Sequence, residues 1–461
     1  MERHSSHLHL HHHHPAHTTA RDMTSGPILQ QLVLFAVPLF LGNIFQLLYS
    51  MVDTLVVGNF VSTQALAAVG STTMIVNTIV FFFNGLSIGA TVIIGQNYGA
   101  KDQESLHKSV ETTMAMTFIV SVIFTAIGVA FVKPMLLFMS TPEDVIPEAS
   151  VYLRIYFAGI SGLMIYNMGS GILRAVGDSK RPLYFLVLTS VLNTILDLFF
   201  VIVLHAGIAG VAYATILSQF ISAILVMLLL TKTDDIYKLT WRDLRLDMPT
   251  FGKIMSIGLP SAIQSTITGF SNVFVQSYVN VFGSACMAGW SCYNKLDQFI
   301  YLPMQSLANS ATTFVSQNYG ARQEERANKG TSSAIVLAMS ITAAVAAVLV
   351  IFAAPATSIF TKDENVIAYG ALFIRMNTLF LIMNCVNHVL AGALRGRGDS
   401  KAPMFIMLGT FVVLRQIYLF VATHFFANTP VIVGLGYPVG WTSCFIVEVS
   451  YFWWKYIRKK K

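Results

Sequence analysis

Twelve apolar blocks, most of them twenty residues or longer, run through this 461-residue chain and limit what it can fold into. A helix rises about 1.5 Å per residue, so about twenty apolar residues cross the hydrocarbon of a bilayer. The blocks fall near 28–57, 66–95, 106–132, 148–175, 181–204, 208–231, 250–280, 287–317, 328–353, 366–394, 402–427 and 431–456. Several exceed the minimum, so tilted or protruding helices are expected. Composition points the same way. Only 11% of residues are charged and 55% are hydrophobic, whereas a soluble domain carries roughly 25% charge. The expected fold is an all-α membrane protein of twelve transmembrane helices. Cys286, Cys292, Cys385 and Cys444 lie in or beside apolar blocks without C-x-x-C spacing, and read as small core residues. The aromatics, among them Trp441, Trp453 and Trp454, are expected as interface belts and lipid contacts.

Residues 1–22 stand apart. Histidines at 11–14, with His4, His7, His9 and His17 around them, read as a tag-like or disordered N-terminus, and Met23 is the expected functional beginning. The segment lacks the short apolar core and cleavage site of a signal peptide.

The basic residues orient the spans. The loops after even-numbered spans, with the C-terminal tail, hold 21 of the 29 Lys and Arg residues. By the positive-inside rule both termini and every even loop are cytoplasmic, in a multi-pass cell (inner) membrane protein. That asymmetry accounts for the net charge of +7, so no nucleic-acid partner is expected.

A shift of 221 residues aligns the chain with itself. Gln96-Asn97-Tyr98-Gly99-Ala100 matches Gln317-Asn318-Tyr319-Gly320-Ala321, and Leu173-Arg174…Gly177-Asp178-Ser179-Lys180…Pro182 matches Leu394-Arg395…Gly398-Asp399-Ser400-Lys401…Pro403. Asn59 with Asn280 and Arg154 with Arg375 keep the same offset. One constant shift over so much sequence means duplication. Six spans per half is even, so the halves are parallel repeats about an axis along the membrane normal, with a central cleft between them. The expected parts are an N-terminal lobe 23–231, a cytoplasmic linker 232–249, a C-terminal lobe 250–456 and a basic tail 457–461. The repeated Gln-Asn-Tyr-Gly and Gly-Asp-Ser-Lys segments read as loops whose chemistry is that of turns and topology anchors.

Of 22 acidic residues, Asp53, Asp197, Asp297 and Glu448 lie deep in spans. A carboxylate there costs about 2.5–3.5 kcal/mol on insertion scales, and such groups mark ion or proton routes. Asn193 sits one helical turn before Asp197. Gln46, Tyr49, Ser50 and Asp53 form a polar stripe on the first span, and Pro38 can bend that helix. Thr215 adds a hydroxyl in a small-residue stretch of span six. Carboxylate, amide and hydroxyl oxygens suit an alkali cation, and two carboxylates also suit a proton. The competing reading is an Asp–Asn bond that merely holds helices together. Lys295 and Asp297 are open to two readings, a self-neutralising pair or a second polar site. Glu448 has no acidic counterpart in span six. Arg415 and His388 read as packing residues.

These residues resemble the multidrug and toxic compound extrusion family. The resemblance rests on Pro38, Gln46, Tyr49 and Asp53 ahead of Val56-Val57-Gly58, on the duplicated Gly-Gln-Asn-Tyr-Gly-Ala segment (Gly95–Ala100, with Ser316 in place of the first Gly in the second copy), and on the Leu-Arg…Gly-Asp-Ser-Lys…Pro pattern. It covers about residues 27–456 and is closest to the bacterial DinF-like branch. It implies two lobes forming a V-shaped cavity and antiport of Na⁺ or H⁺ against amphipathic, often cationic drugs, with no cofactor beyond the coupling ion. It places the cation site, Na⁺ included, at Asp53, Asn193, Asp197 and Thr215, and puts Gln46, Tyr49 and Asn167 in the drug cavity. Some family members carry acidic coupling residues in the C-terminal lobe, where span seven here has Gln264 and Gln276. Partners are expected to be small organic molecules and the bilayer, with the protein monomeric. A lipid-linked oligosaccharide flippase is the competing function, and its anionic cargo would call for cavity cations where this chain has carboxylates. An embedded enzyme finds no nucleophile or zinc constellation.

Overall fold

A computed structural model describes residues 20–139 and 141–458. The histidine-rich stretch and the last three lysines of the tail lie outside the described residues. Within them, all regular structure is helical. The first half contains α1 (Ile28–Phe60), α2 (Thr63–Gly99), α3 (Gln103–Phe138), α4 (Ile146–Ala158), α5 (Ile160–Ala175), α6 (Lys180–Leu198) and α7 (Gly207–Lys232). The second contains α8 (Met248–Asn280), α9 (Ser284–Gly320), α10 (Glu324–Ile351), the short α11 (Ala353–Ser358), α12 (Glu364–Asn377) and α13 (Leu381–Gly396). It closes with α14 (Lys401–Met407), α15 (Arg415–Val421), α16 (Pro430–Gly434) and α17 (Gly436–Phe452).

Nine described segments are long and apolar enough to cross a membrane singly, and α4 with α5, bent by 47°, forms a tenth. The remaining two expected spans are α8 and α9, of 33 and 37 residues. They have the length but are more polar, since α9 alone carries Asn294, Lys295, Asp297 and Gln298. Two long helices that polar are poor lipid neighbours and belong against protein or water. The architecture is the expected one: twelve spans in two parallel six-span lobes.

Pro38 lies inside α1 without interrupting it. Breaks in regularity come elsewhere. A π-helical segment, Phe199–Val203, begins two residues after Asp197, and another, Leu408–Leu414, precedes Arg415. Such widened turns shift side-chain register and recur at functional sites.

The lobes meet most closely at the end that bears the basic loops. A Cβ on Gly85 would lie 2.4 Å from Ala262 Cα, and one on Gly89 would lie 2.3 Å from the Ile254 carbonyl oxygen, so α2 and α8 touch backbone to backbone. A Cβ on Gly99 would come 1.9 Å from the Gln317 carbonyl oxygen, and one on Gly320 the same 1.9 Å from that of Gln96. Here the structure corrects the loop reading of the duplicated segment. Gln96–Gly99 and Gln317–Gly320 are the last turns of α2 and α9. Gln96 Nε2 donates to the Gly396 carbonyl at 2.9 Å, and Gln317 Nε2 donates to the Ala175 carbonyl at 2.8 Å. The two bonds are related by the repeat and each crosses between lobes.

The second repeated segment is a turn, as expected. Gly177 and Gly398 adopt φ +84° and +86°, which glycine tolerates best. Asp178 accepts from the Lys180 and Arg181 amides that open α6, while Asp399 takes Tyr451 Oη and Lys455 Nζ at 2.7 and 2.6 Å. The helix ends are exchanged as well. The start of α1 (Leu32, Phe35) buries itself in the C-terminal core with Leu307 and Phe314, and the start of α8 (Ile254, Ile257) joins the N-terminal core. Farther from this end, α2 leaves Thr73, Asn77 and Asn84 exposed and α9 leaves Asn294 and Gln298 exposed. Lipid is a poor solvent for amides, so these residues line a cleft between the lobes.

Candidate functional site

The polar cluster of the N-terminal lobe forms where α1, α6 and α7 converge. Counted along each helix at 1.5 Å per residue, Asp53 is seven residues from the end of α1, Thr215 eight from the start of α7, and Asp197 one from the end of α6. All three therefore lie toward the end away from the closed contact. Asn193 and Asp197 are fully buried, Thr215 is 4% exposed and Asp53 is half-buried.

Asn193 joins the two acids. With its amide nitrogen turned toward them, it donates to Asp53 Oδ1 at 2.9 Å and to Asp197 Oδ2 at 3.2 Å. The carboxyl groups of Asp53 and Asp197 stand side by side, and Tyr49 lies beside both Asp53 and Thr215. Asp197 Oδ1 is buried without a hydrogen-bond partner. Thr215 Oγ1 donates its hydrogen to the Val211 carbonyl at 3.0 Å, which leaves its lone pairs for the cluster.

Two ionised carboxylates in contact at low dielectric repel strongly, and each pays for lost hydration. A cation or a shared proton compensates both effects. The donors are hard oxygens, two anionic and two neutral, as an alkali ion prefers. The four residues fit such a group, with one adjustment: Asn193 must rotate its amide to offer oxygen rather than nitrogen.

A fifth side chain escaped the sequence reading. Tyr152 on α4 is 8% exposed, faces Asp53 and Asp197, and stacks on Tyr156 with ring centroids 6.2 Å apart. Aromatics were expected at lipid interfaces, and only the packing of α4 on α7 turns this one inward. The i, i+4 spacing of Tyr152 and Tyr156 was the available signal.

The expected cavity residues separate. Gln46 is exposed on α1, and Tyr49 belongs to the acidic cluster. Asn167 is on α5, which packs mainly on α2, α3 and α7, and its amide donates to the Leu163 carbonyl of its own helix at 2.9 Å.

The C-terminal lobe has different chemistry. Lys295 and Asp297 do not pair, which removes the self-neutralising reading. Two residues apart on a helix, they point to different faces. Lys295 is exposed, 5.4 Å from the Phe360 ring centre, while Asp297 faces Tyr293, Tyr301 and Tyr437 with Oδ1 buried and unpartnered. Arg415 is a packing residue as expected. It donates to Ser271 Oγ at 2.7 Å and Asn272 Oδ1 at 3.0 Å, and lies over Tyr437. His388 packs edge-on against Tyr301.

Arg395, counted from sequence as a loop cation, lies in the last turn of α13 and donates to Gln264 Oε1 at 2.7 Å. Glu448 is fully buried near it, with Cys444 Sγ 3.6 Å from Oε2. The four cysteines are free and buried, as expected of core residues.

Two parallel six-span lobes, closed on each other at one end and carrying a buried acidic cluster in one lobe, define a multi-pass membrane transporter. Comparison with known proteins sharpens that class. The MatE family model matches residues 38–199 and again 260–421, one match in each half, and the chain belongs to the MatE family. The probable multidrug resistance protein YpnP of Bacillus subtilis is 30% identical over 96% of this chain and 98% of its own length. An FAD transporter of Shewanella oneidensis is 23% identical over 76% of this chain and 78% of its own. A multidrug resistance MATE family transporter solved in an outward-facing conformation superposes with a TM-score of 0.89 at 24% identity, covering 96% of this chain and 99% of that one.

Proposed function

We propose that this protein exports amphipathic, often cationic small molecules in exchange for Na⁺ or H⁺, with Asp53, Asn193, Asp197 and Thr215 as the coupling site. The observation that carries the reading is the Asp53–Asn193–Asp197 bridge, which holds two carboxylates together inside one lobe. YpnP, named for multidrug resistance, covers nearly the whole chain and supports this class of cargo.

In this reading the closed end is the cytoplasmic one, because the basic loops lie there, and the cleft opens outward. A coupling ion entering from outside neutralises the acidic pair, and Asn193 turns its oxygen inward. Tyr49 touches the same pair from α1, the helix whose far end packs on the opposite lobe, so occupancy bears on how the lobes fit together. Exchange follows if ion and cargo favour different lobe arrangements, since a ligand shifts an equilibrium only through differential affinity. Gln46 and Tyr49 line the approach from the cleft, and Asn167 contributes if α5 reaches that wall. The protein works as a monomer in the inner membrane with both termini inside.

The test is drug uptake into inverted vesicles under separately imposed Na⁺ and pH gradients. Uptake driven by one gradient and lost in Asp53→Asn supports the reading; uptake indifferent to both gradients overturns it. The FAD transporter among the relatives keeps anionic cargo as a second reading. Translocation of a lipid-linked anionic precursor, with no drug in a broad panel exported, would establish that alternative.

A further inference from the structure

The chain just before α1 lies across the closed end and bonds to both lobes. Met23 is fully buried in the C-terminal core beside Phe314 and Ala327. Its amide donates to Gln317 Oε1 at 2.9 Å, and its carbonyl accepts from Asn318 Nδ2 at 3.1 Å. The Arg326 guanidinium, 5.5 Å from the Phe314 ring centre, donates to three carbonyls of this segment: Met23 at 3.3 Å, Ser25 at 2.9 Å and Gly26 at 2.8 Å. On the other lobe the Arg21 amide donates to the Val176 carbonyl at 2.9 Å, and a Cβ on Gly177 would meet the Arg21 carbonyl oxygen at 2.3 Å. Gln317 joins the two attachments, since the amide that accepts from Met23 also donates to Ala175.

The duplication reaches into this segment. Arg21-Asp22-Met23 recurs as Arg242-Asp243-Leu244 at the same shift of 221. The second copy lies on the opposite lobe to its own helices, as the first does: Leu244 and Leu246 pack on the N-terminal core, and the Asp247 amide donates to Thr112 Oγ1 at 3.2 Å. That copy is tethered at both ends by the chain between lobes. The first precedes α1.

We propose that residues 21–26 form a latch that holds the lobes together at this end and is released when the end opens. Separating the lobes must break either the Arg21–Val176 bond or the set around Met23, because their partners lie on different lobes. Docking and closure therefore stabilise each other. The proposal depends on neither the cargo nor the coupling ion.

The test uses the full chain with its four cysteines replaced. Met23→Cys should react slowly with a maleimide, and adding Arg326→Ala should raise the rate about tenfold, the effect of losing charge-assisted hydrogen bonds. Arg326→Lys, which keeps the charge but not the fork, should raise it less. In a second background, spin labels at Glu104→Cys and Glu325→Cys report the distance between lobes, and Arg326→Ala should add a longer population. Faster labelling with an unchanged interlobe distance would mean the segment is attached but latches nothing, and the proposal fails. If Arg326→Ala does not insert, Asn318→Ala should move both readouts the same way by a smaller factor; no change in either also overturns it.

Discussion

The two halves of this protein share a sequence repeat and a closing contact, yet among the described residues only the N-terminal half holds two acids side by side. At the closed end the copies behave as equivalents. Gly99 and Gly320 press on opposite carbonyls at the same 1.9 Å, and Gln96 and Gln317 reach equivalent carbonyls across the interface. Inside the lobes the equivalence is gone. At the shift of 221, Asp53 corresponds to Phe274, Asn193 to Leu414, Asp197 to Tyr418 and Thr215 to Gly436. The difference teaches where duplication constrains. Contacts between backbones at an axis admit few side chains, because both copies must fit against each other. A lobe interior faces only its own helices and can change its polar groups, provided that they remain paired or compensated.

The largest expected effect breaks that comparison at the acids. Asp53→Asn and Asp197→Asn should each reduce gradient-driven drug uptake to that of empty vesicles at matched expression, while the protein still inserts. Near-normal uptake by both would show that the N-terminal cluster is structural. Next come the glycines. Gly99→Val and Gly320→Val should each destabilise the closed arrangement by about 1–3 kcal/mol, the usual cost of overpacking. Thermal unfolding in detergent measures it, and a large effect for one copy alone would show that the contact is less symmetric than its geometry.

Smaller changes follow from the neutral ligands. Asn193→Ala and Thr215→Ala should weaken apparent cation affinity about fivefold, the equivalent of roughly 1 kcal/mol for one polar contact, read from the ion dependence of transport. Leu414→Ala, at the corresponding place in the other lobe, should leave that dependence unmoved. Last, Lys295→Ala should change stability by no more than about 0.5 kcal/mol, as exposed substitutions do. Asp297→Asn should impair transport less than Asp53→Asn. Equal loss would place coupling in both lobes and end the contrast between them.

Much of this was legible in the residues. Apolar blocks located all twelve spans, including the more polar α8 and α9, which occupy the places of α1 and α2 in the repeat. The cost of a carboxylate in a span singled out Asp53 and Asp197 without any contact being known. Asn193 followed from helical spacing alone. Other features were illegible because they depend on which surfaces meet. Tyr152 resembles any interfacial aromatic until α4 packs on α7. Arg395 looks like a topology anchor until α13 carries it beside Gln264. Lys295 and Asp297 look like partners because they are close in sequence, and a helix turns them apart.

By itself, then, the sequence determined a twelve-span, twofold-repeated membrane protein with costly acids deep in its spans. Those properties arise from length, period and the price of burying charge, all of which act along the chain. Only the tertiary structure decided that the duplicated Gln-Asn-Tyr-Gly turns clasp opposite lobes, that Asn193 bridges two acids from different helices, and that the segment around Met23 lies across the closed end. Each of these depends on a donor and an acceptor brought within about 3 Å from distant parts of the chain, and that coincidence is created by packing.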